Sequence, residues 1–566
     1  MKVVLAEKVS PATLAVLQRE PGWQVLTAED VAAKFPGGLK EALRDADALV
    51  VRSAVQVDKE LLSHAERLRL IGRAGVGVDN IDAAEATRRG IVVMNTPGAN
   101  AIAVAELTLG LMLSMARGIP RANAGMHAGK WEKKSLQGTE LRGKTLGIVG
   151  CGRIGLEVAR RARGFGMRIL GYDPFVAPVI ARENGVTLVS IDEIFNESDY
   201  LSLHVGLTPQ TEGLINATSI AIMKPGVRIV NCARGELIVD EALAAALKSG
   251  KVAGAALDVF RQEPLKSSPY FELDNVLLSP HIAGSTDEAQ EAIGIQLAEQ
   301  VRDYLKLGVV QNAVNVSSLT QEEYVEAAPY IEMAARLGQL LSHAAGTAAQ
   351  DETLGSIESI SLTYNGRVAQ MKTDLLRNAA LSGVLHGAEG INRINATAAA
   401  EARGLRIHED KREFVPGGAG ATLRLSLHWS RKNSAERGDW TGVATVLHGN
   451  SPRLLSYDGI DIEAELSGTL VILRNQDVPG VIGRIGTVLG EHRLNIANFA
   501  LGRAHKGRDG EHDSGPNDGH NSGVPAGQAL AVVQLDVPQK AGAALDAAVA
   551  DLRAIPAVHS VRVVRL

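Results

Sequence analysis

Short, mainly apolar runs recur through the first half of the chain. They fall at Val3–Ala6, Ala48–Arg52, Leu70–Arg73 and Val92–Asn95, then at Thr145–Val149, Arg168–Tyr172, Tyr200–Val205, Val227–Asn231, Ala253–Val259 and Val276–Ser279. Between them lie stretches with apolar residues at helical spacing, such as Pro11–Arg19 and the set Ile154, Val158, Ala159 and Ala162. Apolar strands alternating with helices predict parallel sheets covered on both faces, an α/β architecture. Two longer helical stretches, Ala101–Ala116 and Asp287–Leu307, bracket the second group of strands. The pattern therefore predicts a lobe split in sequence, 1–97 with 285–316, and a second α/β domain, 98–284, inserted into it.

The rhythm changes after Val316. Helical runs (Gln321–Ala345, Thr373–Leu385, Ala396–Arg403) and strand-like runs (Ile357–Tyr364, Thr422–Trp429, Trp440–Leu447) predict an α+β domain over 317–465. Residues 466–566 read strand (Thr469–Leu473), helix (Val481–His492), strand (Ile496–Leu501), strand (Ala529–Asp536), helix (Ala541–Leu552) and strand (Ser560–Val564), the βαββαβ order of a ferredoxin-like fold. Inside it, about 503–528 is rich in Gly, Asp, Asn and His and predicts a disordered hairpin tip. His505, His512 and His520 lie there, but nothing sets a ligand geometry, so a solvated loop is expected and no metal.

Composition narrows the function classes. A net charge of -5 and only 4% aromatic residues supply neither the field nor the stacking surface of a nucleic-acid or anionic-membrane binder. The two cysteines, Cys151 and Cys232, form no CxxC pair, which suits reduced cytoplasm. The apolar stretch Ala101–Ala116 carries Glu106 and predicts a buried or subunit-interface helix rather than a membrane span.

The segment KTLGIVGCGRIGLEVARRARGFGMRILGYD, Lys144–Asp173, holds a dinucleotide-binding unit in order: strand, Gly150, Gly152 and Gly155, helix, strand, acid. Gly150 permits the tight turn, Gly152 lets the backbone approach a pyrophosphate, and Gly155 lets helix pack on strand. The helix N-terminus offers N–H groups to phosphate. Asp173 would accept both ribose hydroxyls and repel a 2′-phosphate, so the cofactor expected is NAD, in a Rossmann domain.

A nicotinamide partner must take a proton while hydride leaves the same carbon, and histidine suits that near neutral pH. His281, in LLSPHIAGST, follows one predicted strand, Glu263, in RQEPL, another, and Arg234, in NCARGELIV, a third. Ligands of open α/β sheets collect at such strand ends. Glu263 could fix the imidazole tautomer, and Arg234 could grip a carboxylate bidentately. Each alone also has a plainer reading: a helix-capping histidine, a surface acid before proline, a surface ion-pair arginine.

GCGRIG, NCARGELIVDEAL, ALDVFRQEP and LSPHIAGST together resemble the D-isomer-specific 2-hydroxyacid dehydrogenases over roughly residues 1–316. The resemblance implies a split flavodoxin-like substrate lobe around an inserted Rossmann domain. It implies His281 as acid/base, Glu263 as its support and Arg234 as carboxylate ligand. Around NAD it places Arg153, Ile154, Asp173, Cys232, Ala233, Arg234, Asp258 and His281 to Gly284, with Asp258 on the nicotinamide carboxamide. Cys232 lacks a general base and reads as a packing neighbour of the cofactor.

VRSAVQVD and IGRAGVGVDNID resemble the branch of that family that oxidises 3-phospho-D-glycerate, the first step of phosphorylated serine synthesis. Arg52, Ser53 and Arg73 would then meet the substrate's phosphate end, and Asn100 would meet substrate at the cleft. Lys133 and Lys134 stand where the family often has arginine and lysine; surface charge is an equal reading for them. Residues 317–465 resemble that branch's intervening domain, of allosteric substrate-binding type. Residues 466–566 resemble an ACT domain, in which Asn475, Asp477 and Asn495 would contact an L-serine effector across a domain interface. A homodimer or homotetramer is implied. Deleting 466–566 should abolish any serine inhibition and leave catalysis. Other small 2-oxo acids, such as glyoxylate or hydroxypyruvate, and an NADH-sensing corepressor-like role stay open. The ACT tail counts against both.

Overall fold

The computed structural model describes residues 1–349, 356–413, 420–430, 437–504, 527–536 and 542–566. His505, His512, His520 and the body of the hydrophilic segment lie outside them. The chain divides into two compact units. The first is Met1–Gln56, Gly72–Asn80 and Met94–Arg302, and the second is Val57–Ile71, Ile81–Val93 and Asp303–Leu566.

Strands β1 (Lys2–Leu5), β2 (Gln24–Leu26), β3 (Ala48–Val51), β4 (Leu70–Arg73) and β5 (Val92–Met94) form a sheet in the order β2-β1-β3-β4-β5. That is the flavodoxin-like order, with β1 parallel to β2 and β3. The first unit holds a seven-stranded sheet: β6 (Thr145–Val149), β7 (Arg168–Tyr172), β8 (Thr187–Leu188), β9 (Tyr200–Leu203), β10 (Val227–Asn231), β11 (Val252–Leu257) and β12 (Val276–Leu278). Its order is β12-β11-β10-β9-β6-β7-β8. The chain leaves β6 toward β7 and β8, then crosses back to β9 on the other side of β6. Such a switch opens a crevice at the carboxyl ends of the two central strands.

Every residue of β6 is buried, which fits its uninterrupted apolar sequence. Leu146 and Ile148 pack with Val158, Ala159 and Ala162 of the helix Arg153–Gly164, while Val149 joins Leu201, Leu203 and Ile229 in the second layer. The apolar stretch at 101 becomes the helix Ala101–Arg117, ends at Gly118 in a left-handed conformation, and turns by 65° into Ile119–His127. No single described helix is long and apolar enough to cross a membrane.

In the second unit, β13 (Ser356–Asn365), β14 (Arg406–Arg412), β15 (Thr422–Ser430), β16 (Arg437–Leu447), β17 (Ser451–Tyr457) and β18 (Ile460–Glu465) form a sheet in the order β14-β13-β15-β16-β17-β18. The helices Gln321–Ala349 and Thr373–Val384 supply Leu337, Leu340, Leu341 and Leu376 to its core. Then β19 (Thr469–Gln476), β20 (Asn495–Arg503), β21 (Gln528–Asp536) and β22 (Val558–Arg565) form a sheet in the order β20-β21-β19-β22. Its helices, Val481–Glu491 and Gly542–Arg553, cover one face through Ile485, Leu489, Leu545 and Leu552 against Val471 and Leu473.

The other face of that sheet is not a solvated surface. Leu470, Ile472, Leu530, Val532 and Val564 share one core with Leu454, Tyr457, Ile460, Ile462 and Ala464 of β17 and β18. Arg474 pairs with Asp458 at 2.5 Å, and Arg336 donates to the Leu466 carbonyl at 2.7 Å. The last four strands therefore share a core with the preceding sheet.

Candidate active site

The glycine turn has the close approaches its sequence requires. Gly150 has φ 94°, and a Cβ there would lie 2.5 Å from the His204 carbonyl oxygen at the end of β9. A Cβ on Gly155 would lie 2.0 Å from the Gly150 oxygen, so helix and turn could not meet as they do with any larger residue. Gly152 caps the helix Arg153–Gly164, and a Cβ there would enter open space, leaving room for a phosphate beside the first-turn amides. Asp173 closes β7. Its Oδ2 accepts from the Cys151 amide at 2.8 Å, and its Oδ1 from the amides of Phe175 at 2.8 Å and Val176 at 3.2 Å. These bonds fix the carboxylate at the strand end; Oδ1 is filled by its two amides, and Oδ2 keeps one lone pair for a ribose hydroxyl. Ile154 packs partly buried beneath the turn. Arg153 donates to the Pro97 carbonyl instead of standing free over the turn. The turn and its acid thus fit an NAD molecule.

Burial pushes both thiols, Cys151 and Cys232, up to about 12, with the Asp173 charge adding to the first and the Asp258 charge to the second. Both are protonated packing groups at neutral pH. Asn231, fully buried, shapes the turn after β10: its Nδ2 donates to the Arg234 carbonyl at 2.7 Å, and its Oδ1 accepts from the Ala233 amide at 3.0 Å.

His281 sits at φ 52°, and its Nδ1 lies 2.7 Å from Glu263 Oε2. The other Glu263 oxygen accepts from the Phe260 amide at 3.0 Å. Burial alone would raise the Glu263 pKa. The hydrogen bonds from His281 and Phe260, with the charges of His281 and Arg234, hold it below the usual value instead. The loop carrying His281 is folded onto Asp258. That fully buried carboxylate accepts from Ser279 Oγ at 2.6 Å and from the amides of Ile282 at 3.0 Å and Ala283 at 2.9 Å. The sequence places Asp258 at the nicotinamide; in the structure its side-chain bonds hold the His281–Gly284 segment. Gly284 faces Asn100, whose buried Oδ1 has no partner among the described residues.

Three arginines gather at the other side. Arg73 leaves β4 with its Nε buried and unpartnered among the described residues. Burial, then the charge of Arg234, pull its pKa down to about 10, with Arg52 adding to the drop and Asp79 and Glu7 opposing it. It is still cationic at neutral pH. An unpartnered guanidinium nitrogen beside two more arginines is a fit for an anion. Glu7 and Asn80, not anticipated from the sequence, fold the segment that holds Arg52 and Ser53. Glu7 accepts from the amides of Arg52, Ala54 and Val55 at 2.9–3.2 Å, and Asn80 donates to the carbonyls of Arg52 and Val55 at 3.0 and 2.7 Å. Arg234 donates from Nε to Asp79 at 2.9 Å. Asp79 is a third residue that sequence reasoning missed. Lys133 and Lys134 lie in the exposed segment after Ile119–His127.

The three expected effector residues do not converge within one chain. Asn475 is 3% exposed, its Oδ1 has no partner among the described residues, and Asp477 pairs with Arg503 at 3.2 Å. Asn495 bonds Asp536 at 2.8 Å. Asn475 stands opposite Ala529 and Asn495 opposite Asp536, the two ends of β21, roughly 23 Å apart at ~3.3 Å per residue.

The chain is similar to known proteins over most of its length. Residues 109–283 match the NAD binding domain of the D-isomer specific 2-hydroxyacid dehydrogenases, 326–456 the D-3-phosphoglycerate dehydrogenase intervening domain, and 469–530 the ACT domain. A D-3-phosphoglycerate dehydrogenase of Methanocaldococcus jannaschii is 42% identical over 83% of this chain and 87% of its own. One of Synechocystis is 38% identical over 89% and 88%. Among solved structures, a glyoxylate reductase from Paecilomyes thermophila aligns with a TM-score of 0.51 at 34% identity, covering 56% of this chain and 98% of its own. That match spans a little over half of the chain. The full-length likeness and all three domain families place the chain in the D-3-phosphoglycerate dehydrogenase family.

Proposed function

We propose that the protein oxidises 3-phospho-D-glycerate at C2 to 3-phosphohydroxypyruvate, the first step of phosphorylated L-serine synthesis, and that the residues above carry the reaction. The observation behind this is the position of Arg234. Its charge acts on Glu263, the partner of His281, and also on Arg73. A guanidinium standing between a proton acceptor and further arginines suits a substrate with a carboxylate beside the reacting carbinol and a phosphate beyond it.

Arg234 takes the carboxylate and draws electrons from the C2 oxygen. Arg52 and Arg73 take the phosphate, with Ser53 beside them and Asn100 at the cleft. Ionised Glu263 accepts from Nδ1–H, which leaves the Nε2 lone pair of His281 as the base. The hydroxyl proton passes to Nε2, the C2–H electron pair departs as hydride, and C2=O forms. Bound NAD supplies the hydride acceptor. Gly150, Gly152 and Gly155 with the first-turn amides hold its pyrophosphate and Asp173 its ribose. Cys232 and Ala233, on the turn after β10, and Gly284, at the end of the segment Asp258 folds, would line the nicotinamide end.

L-serine is the effector proposed for the ACT domain, with Asn475, Asp477 and Asn495 as its ligands. The buried Oδ1 of Asn475, without a partner among the described residues, supports a ligand there. Since Asn495 stands at the far end of the sheet, a complete site takes residues from two copies, which favours a homodimer or homotetramer. Two buried free thiols suit the cytoplasm.

NAD reduction by 3-phosphoglycerate and by glycerate, each with and without serine, tests the reading. Turnover with 3-phosphoglycerate alone is expected, and equal turnover with glycerate would remove the phosphate assignment. His281→Ala should retain NADH binding and lose about 10²–10⁴ in turnover. Asn475→Ala should lose serine inhibition and keep catalysis; inhibition that persists would refute the effector site.

A further inference from the structure

We propose that Asp79 is a positioning residue for substrate, holding the Arg234 guanidinium by its Nε over Gly77 so that the two terminal nitrogens keep one orientation toward the substrate carboxylate. This rests on the reading of Arg234 as the carboxylate ligand.

Arg234 has a long side chain on a strand-end turn, and its position is set by what surrounds its tip. Nε donates to Asp79 Oδ2 at 2.9 Å, and Nη1 donates to the Ala233 carbonyl at 2.6 Å. Those bonds use two of the five N–H groups and leave three on the terminal nitrogens, enough for a bidentate carboxylate grip. The third constraint is a missing side chain. A Cβ on Gly77 would lie 1.6 Å from Arg234 Nη2 and 2.7 Å from Asp79 Oδ2, so the glycine is the seat on which the pair rests. Asp79 and Gly77 belong to the segment after β4 and Arg234 to the turn after β10, 155 positions away. The pair therefore ties the substrate lobe to the cofactor domain at the cleft.

A plainer role explains less. The Asp79 side chain is 61% exposed, and an exposed ion pair contributes little to stability. A bond whose value is orientation must be made at the nitrogen that substrate does not need, and Nε is that nitrogen.

Steady-state kinetics on the full-length chain distinguish the possibilities, with NADH binding and thermal melting as controls. Asp79→Ala should raise the KM for 3-phosphoglycerate by about 10-fold or more while NADH binding is unchanged. Asp79→Asn, whose amide oxygen can still accept from Nε, should recover most of that loss. Gly77→Ala should reproduce the Asp79→Ala defect, because its Cβ displaces only the flexible tips of Arg234 and Asp79 and the chain should fold. A lowered KM in Asp79→Ala would make Asp79 a competitor of substrate and overturn the proposal. An Asn variant as impaired as Ala would overturn it too, reducing Asp79 to a counter-charge. Arg234→Ala separates the two levels: an unchanged KM there sinks the reading of Arg234 itself. A raised KM there with Asp79→Ala unaffected sinks the role of Asp79 alone.

Discussion

Ending the chain after Glu465 should damage the domain that remains, although it removes no residue of that domain. On the retained side Leu454, Tyr457, Ile460 and Ile462 are 0–6% exposed in a core they share with Leu470, Ile472, Leu530, Val532 and Val564. Full exposure of a large apolar side chain costs about 1.5–3 kcal/mol. Part of each side chain stays covered by its own sheet, so half of that total, about 3–6 kcal/mol for the four, is a fair charge. A domain of this size is stable by only about 5–15 kcal/mol. Asp458 would also lose Arg474, the partner that opposes the upward pull of burial on its carboxyl. Melting curves, size-exclusion chromatography and dye binding to exposed apolar surface are the assays. The truncated chain should melt several degrees lower, bind dye and self-associate. A monodisperse truncated protein that melts with the full chain would refute the shared core.

The site offers two further tests. Glu263→Gln keeps shape and an acceptor oxygen but loses the charge facing His281. For a 2.7 Å bond between partly exposed groups, the lower part of the charged range, about 1.5–2 kcal/mol, applies. That predicts a fall in kcat/KM of about 10–30-fold with NADH binding intact; less than about threefold would deny Glu263 its supporting role. Because Glu263 titrates below its ordinary 4.5, its support is complete above that pH and is lost as pH falls through the lowered value, so any acid limb centred above pH 5 should survive in the Gln variant. Gly155→Ala would gain up to about 1 kcal/mol if helix propensity alone mattered. The Cβ would instead meet the Gly150 backbone at 2.0 Å, so both Tm and NADH affinity should drop, and an unchanged affinity would show that the turn tolerates the shift.

The fold was legible where burial is two-sided. Thr145–Val149, Arg168–Tyr172 and Val227–Asn231 end in the structure where their apolar runs end in the sequence. It was illegible where strands face solvent. RIHEDKR, the edge strand β14, is almost wholly exposed and charged, which protects an edge and hides it from any hydrophobic pattern. The hairpin of β17 and β18 carried a readable sign, Asp458-Gly459, both at positive φ as a two-residue turn demands. The shared core carried one too. TLVIL in β19 and ALAVV in β21 are apolar on both faces, while their own helices can cover only one. A strand apolar on both faces inside a nominally two-layer module implies a third layer, which β17 and β18 supply.

Residues at the ends of parallel strands were found because topology predicts where such ends gather; Arg234, Glu263 and His281 needed no knowledge of their neighbours. Asp79 has no such address. Its sequence context, GVGVDNID, gives no hint of a partner, and the guanidinium it holds is 155 positions downstream. Glu7, which folds the Arg52 segment across 45 to 48 positions, was hidden for the same reason. Groups at the ends of parallel strands can be read from strand order, because the apolar runs mark where those ends fall. Groups that only hold those side chains can sit wherever the fold brings a carboxylate within reach. Their number and identity are set by packing, so a search for further positioning residues in this cleft should begin from the unspent polar atoms of Arg73 and Asn100 rather than from motifs.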